Sequence, residues 1–342
     1  MTGRERVRAA IHFKPVDKVP LQYLYTPVGF YEHGERLNDL YEQHPGDFEG
    51  FKRQPIPVIP PEDFDSQGLY HSFKLDDWGT LWEHRIFGIT GIPAKYPLAD
   101  INDIASYFPP PIPVLNEMER AQAKANMASH QQLYYGSYGV GSLFERLRYL
   151  RPDEDVLMDM INGEPALELL TDRIADHISK RISQAIDCGA DGISFGDDYG
   201  TERAMLISPE LWRQFFKPRL ANMFAPAVKA GLDIIFHSCG QISPILEDLK
   251  EVGVSAIWPQ LPAYNMEEFA ARCRELKLAV AIHTDRAVTM TSGTPSEVRD
   301  LVKREFEVFR IMDGGSWFYV ETDNGFPFEN IEALVETIAE WR

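Results

Sequence analysis

His237, Ser238 and Cys239 set an imidazole and a thiol two positions apart at the end of a buried, strand-like run. Those two side chains suit one borderline-soft cation, with zinc the natural choice. Glu321, from the last strand-like run, offers a third ligand and leaves a fourth position open. A zinc held in this way would activate a substrate thiol, alcohol or water as a Lewis acid. The same two residues also fit a hydrogen-bonded pocket histidine beside a small buried cysteine.

Other strand-like runs end in similar chemistry. Asp197 and Asp198 close one run and precede Tyr199 and Gly200. A carboxylate there could anchor a cationic group, act as a general acid or base, or help hold a metal. One of the two equally fits a turn or a helix cap. Gln260 ends another run, His283 and Asp285 a third, and Glu321, Asp323 and Asn324 a fourth. His283 is a candidate for proton transfer, and the nearby Arg286 could meet a substrate carboxylate or make a surface ion pair. Tyr199, Gln260, Asp285 and Asn324 complete the polar lining expected of a binding pocket. Tyr23, Tyr25, Trp78 and Trp82 could wall it against an apolar or planar ligand, although core packing accounts for such residues equally well.

Parallel strands must carry these groups. From residue 112 onward, short apolar runs alternate with longer helical stretches over more than 200 residues. Helices are expected over 112–128, 141–149, 152–159 and 165–188, the last with Leu169, Ile174, Ile178, Ile182 and Ile186 along one stripe. Further helices are expected over 242–251, 266–275, 294–313 and 327–341, and Ser208 with Pro209 opens another as cap and first residue. Strands are expected at 19–25, 131–137, 189–198, 231–240, 254–260, 278–285 and 316–325. Alternation of this kind, without a glycine-rich phosphate loop after the first strand, predicts one (β/α)8 TIM barrel over 1–342. In such a barrel, polar residues at the carboxyl ends of strands face the active site. The eighth strand is not evident; it falls either in the irregular region or in 277–315. Residues 26–111 read as an elaboration at the barrel mouth, with a two-stranded β-hairpin in Asp76–His84.

The formal net charge of -18 disfavours nucleic acid and anionic membrane surfaces as partners. Three cysteines make no secreted disulfide framework, and neither a leader nor an apolar run of membrane-spanning length is evident. A cytoplasmic location is the expectation.

Five stretches resemble the uroporphyrinogen decarboxylase superfamily, which includes cobalamin-dependent methyltransferases. They are Arg4–Pro20, Asp76–Glu83 (DDWGTLWE), Gly196–Leu220, Phe236–Val254 (FHSCGQISPILEDLKEVGV) and Pro327–Leu334. The resemblance implies a (β/α)8 barrel, and a homodimer is plausible. It also implies that decarboxylation of uroporphyrinogen itself is not the activity, because Gln22–Arg36 lacks the arginine-rich motif of the true decarboxylases. In the methyltransferase branch, His-x-Cys and a later cysteine hold zinc. His237 and Cys239 match the first two, while the last strand offers Glu321 in place of the third. The implied activity is methyl transfer between a small methylated compound or thiol and a corrinoid carried by a partner protein. Asp197, Asp198 and His283 would then manage proton and charge balance. Two alternatives stay open: a metal-free decarboxylase of a tetrapyrrole or a smaller carboxylated substrate, and a non-catalytic corrinoid- or tetrapyrrole-binding accessory protein.

Overall fold

The computed structural model describes residues 1–342. Ten strands form: β1 (Leu21–Leu24), β2 (Ser72–Leu75), β3 (Leu81–His84), β4 (Ile92–Lys95), β5 (Ser137–Gly141), β6 (Gly192–Gly196), β7 (Asp233–Ser238), β8 (Ala256–Pro259), β9 (Ala279–His283) and β10 (Ser316–Glu321). Seven belong to one sheet in the order β1-β10-β9-β8-β7-β6-β5, and the other three form an antiparallel sheet in the order β2-β3-β4. Helices separate the successive strands of the large sheet, so the fold is of the α/β, TIM-barrel-like class. No helix is long and apolar enough to cross a membrane.

The chain divides into two compact units. The first comprises 1–59, 126–137 and 254–342. In it, β1 pairs with β10, β10 with β9 and β9 with β8, all parallel, with Leu21 opposite Phe318 and Tyr319 opposite His283. The sequence SWFYVE of β10 is buried along its whole length except at Glu321. Strands covered on both faces require such uninterrupted apolar runs. No eighth strand joins the sheet. Beside β1 lies Asp47, in a bend: it donates its N–H to Leu21 O (2.7 Å), and its carbonyl accepts from Tyr135 N (3.1 Å). The Asp47 carboxylate is buried and pairs with Arg6 and with Arg342 (2.7 Å), which fixes this residue in place.

The second unit comprises 60–125 and 138–253. Its longest helix, Pro165–Cys188, starts on a proline and stops at Gly189, which takes a left-handed φ of 76°. Helices commonly end this way because glycine reaches that conformation without a Cβ penalty. The buried stripe of this helix is Leu167, Leu170, Ile174, Ile178 and Ile182, whereas Leu169, expected there, is 42% exposed. Ser208 accepts from Leu211 N and Pro209 is the first residue of the following helix, as the cap pattern predicts.

Three local expectations need correction. The strand expected at 131–137 is β5 at Ser137–Gly141; residues 131–134 wind down the helix Glu117–His130 through turn bonds to Met127 and His130 carbonyls. A helix at Pro27–Gln43, capped by Thr26, was not expected, because Gly34 (φ 56°) interrupts its pattern. The two-stranded element expected within 76–84 is a hairpin of β2 and β3 with 76–80 as its turn, and it gains a third strand, β4, whose Pro93 hides it in the sequence.

Candidate metal centre

Strands β6 and β7 of the second unit pair in parallel, with Gly196 opposite His237. The loops that follow them stay joined. Asp197 N donates to His237 O (3.0 Å), Tyr199 N to Ser238 Oγ (3.1 Å) and Gln241 N to Thr201 O (2.7 Å). At the closest approach both residues are glycine. A Cβ on Gly200 would lie 2.5 Å from Gln241 N and 2.6 Å from Gly240 C, and Gly240 has a φ of +71°.

This junction brings Asp198, His237 and Cys239 together, with one candidate ligand atom from each lying within 4.8 Å of the others. Asp198 Oδ1 accepts the backbone N–H of Cys239 (2.7 Å) and lies 3.4 Å from His237 Nε2, which is 3.5 Å from Cys239 Sγ. Burial pulls the His237 imidazole toward its neutral form. Its hydrogen bonds to Asp198 and Cys239 and their charges outweigh that and raise its pKa. Burial likewise opposes the charge on Asp198, but His237 and the Cys239 N–H hold its pKa below the ordinary carboxylate range. An imidazole nitrogen, a thiol sulfur and a carboxylate oxygen converging on one point form a donor set of the kind zinc takes. The residues present therefore fit that ion.

Asp197, the neighbour of Asp198, points elsewhere. It is fully buried, and its Oδ1 accepts from Leu143 N and Glu145 N (both 3.0 Å) while its Oδ2 accepts from Tyr199 Oη (2.9 Å). Burial pushes its pKa up to about 7, against the pull of these backbone bonds. Tyr199 is itself fully buried, stacked on Phe144 and Phe236.

Asp197 thereby holds the first turn of the helix Phe144–Leu150, which carries a residue that sequence reasoning missed. Glu145 accepts from Tyr149 Oη (2.8 Å), and its pKa is raised by burial and by the charge of Asp198. The hairpin braces this helix from the other side. Trp82 meets Tyr149 edge-on (4.8 Å), the Arg146 guanidinium sits 4.3 Å over Trp78, and Thr80 Oγ1 donates to Tyr149 O (2.8 Å). The only available signal was a lone carboxylate in FERLRYL, just after a strand, which reads as easily as a solvated helix face.

The remaining candidates lie in the first unit. His283 Nδ1 is 3.3 Å from Trp258 Nε1, with the Tyr319 ring 5.0 Å away. Glu321 accepts from Tyr319 Oη (3.3 Å) and is not among the three clustered ligands. Asp285 caps the turn after β9, accepting from the N–H groups of Ala287, Val288 and Thr289. Arg286 lies 3.5 Å from Asp323, whose carboxylate accepts from Asn324 N. Gln260 follows β8, and its carbonyl accepts from Ala263 N. Tyr23 is buried against Tyr41, with its hydroxyl on His44 O. Tyr25 lines a cavity of about 460 Å³ together with Glu49, Lys52 and His130.

A TIM-barrel-like sheet with a polar centre beyond its strand ends defines the class. Within that class, the chain belongs to the uroporphyrinogen decarboxylase (URO-D) family, whose model matches residues 140–341. Among solved structures, a methyltransferase from Methanosarcina mazei aligns over 99% of this chain and 99% of its own at 16% identity, with a TM-score of 0.66. That likeness is one of fold. A dihydropteroate synthase from Xanthomonas albilineans aligns over 59% of this chain and 64% of its own, at 12% identity and a TM-score of 0.35, too low to bear on function. No curated protein matches the sequence.

Proposed function

We propose that this chain is an enzyme of methyl transfer between a small methylated compound or thiol and a corrinoid carried by a partner protein. The observation that supports the reading is the convergence of Asp198, His237 and Cys239. Under this reading those three residues hold zinc, and Asp198 stands in the role that the sequence had offered to Glu321. Bound zinc would supply Lewis-acid activation, lowering the pKa of a thiol or alcohol. The chain's own groups do the rest. The Cys239 N–H fixes the Asp198 carboxylate beside His237. Glu145, its carboxyl held by Tyr149 Oη, is the nearby carboxyl available to take a proton from the activated group. On this reading the corrinoid is carried by a partner protein.

The test is the metal content of the purified protein and of H237A and C239A. About one zinc per chain in the native protein, lost in both variants, is the expected result. Methyl transfer from methylated thiols or ethers to added cob(I)alamin would then follow. Native protein that takes up no zinc even after incubation with it would overturn this reading. Metal-free decarboxylation by the pocket carboxylates, the reaction in the family's name, would then lead.

A further inference from the structure

We propose that Asp197 is a positioning residue that locks the helix Phe144–Leu150 to the metal centre, and that its carboxyl group takes no part in proton transfer. This rests on the metal-centre reading above. Three observations carry it. First, Asp197 is fully buried, and both of its carboxyl oxygens are engaged inside the protein, one by Leu143 N and Glu145 N and the other by Tyr199 Oη. The side chain offers no exposed surface to a substrate. Second, its own N–H is bonded to His237 O, and the next residue, Asp198, is bonded to Cys239 N. One dipeptide therefore grips the helix with its first side chain and the ligand loop with its second. Third, the N–H that Asp197 holds belongs to Glu145, the residue whose carboxyl group meets Tyr149 Oη. Releasing that N–H frees the first turn of a helix only seven residues long.

Groups that orient metal ligands without touching the metal change its affinity by about 10- to 100-fold when removed. Asparagine provides a sharp test. Its side-chain oxygen can still accept from Leu143 N and Glu145 N, and its amide can donate to the Tyr199 hydroxyl. It keeps the clamp and discards the proton chemistry.

The experiment is titration of metal-free protein with Co2+, followed by its thiolate charge-transfer and d–d absorption. D197N should match the native affinity within about threefold and give the native spectrum, whereas D197A should bind about 10- to 100-fold more weakly with shifted d–d bands. Native binding by D197A overturns the inference, and so does a D197N protein as impaired as D197A, which would assign the role to the charge. If D197A fails to fold by circular dichroism, Y199F, which strips one of the three bonds, takes its place. A several-fold loss in Y199F supports the clamp, and an unchanged affinity overturns it. The H237A variant separates the two levels of the argument. If native protein binds Co2+ and H237A does not, an unchanged D197A sinks only this inference. If native protein binds none, the inference falls together with the metal centre.

Discussion

The strand ends of the two units look alike in sequence and behave differently in the structure. After β6 and β7, Asp198, His237 and Cys239 turn toward one another and share one small volume. After β9 and β10, His283, Asp285 and Glu321 each have a local partner: the Trp258 indole, the backbone of a turn, and the Tyr319 hydroxyl. The difference lies in the backbone. Cross-loop bonds at Asp197, Tyr199 and Gln241 tie the first pair of loops together and leave their side chains to converge. Asp285 instead spends its carboxylate on stopping its own loop. A polar strand end is thus a chemical candidate only when something else satisfies the loop that carries it.

The contrast can be broken most strongly at Asp198. D198A removes a ligand and not merely a support, so in a competition titration it should lower affinity for zinc or cobalt beyond the about 10- to 100-fold expected of an orienting group, while leaving the turn after β9 intact. Equal metal binding by D198A and native protein would erase the distinction between the two regions.

Glu305 sharpens the comparison through pH. It is buried behind β9, accepts a bond from Thr284 Oγ1 (2.7 Å), and burial raises its pKa from 4.5 to about 8. Below about pH 4.5 the group is protonated in both folded and unfolded chains and has no effect. Between about 4.5 and 8 the unfolded chain releases the proton and the folded one keeps it, so stability falls as pH rises by up to about 1.4 kcal/mol per unit. Above about 8 the contribution levels off. E305Q should remove this slope, so urea melts across that range should show its advantage over native protein growing with pH. Parallel curves would contradict the assignment.

The smallest effect belongs to the local caps. D285A should cost about 1–2 kcal/mol in urea denaturation, as loss of a capping carboxylate does, and leave cobalt affinity unchanged. A loss of metal binding in D285A would give the second region a share in the chemistry.

Much of this was legible in the sequence. The alternation of apolar runs and helical stripes located most strands of the large sheet, because parallel strands buried on both faces tolerate few polar residues. His237 and Cys239 stood out by spacing. Three features were hidden for physical reasons. Asp197 and Asp198 are adjacent and identical, and only the fold turns one into the interior and the other toward Cys239. Glu145 gains its setting from a cap supplied by a residue 52 positions away. The place beside β1 is filled by Asp47 alone, and a single residue has no periodicity to read.

If Asp198, His237 and Cys239 hold a metal as proposed, the contact between Gly200 and Gly240 would set the order of events. In the unfolded chain, His237 and Cys239 form a two-toothed chelate on a flexible tether, and Asp198 is 39 residues further back. Only when the two glycines have met does the third tooth arrive. On the metal-centre proposal, tight loading would therefore follow folding of this junction, and the ion would bind the folded state in preference to the unfolded. A side chain at either glycine would leave the ligands all present and the chelate unmade.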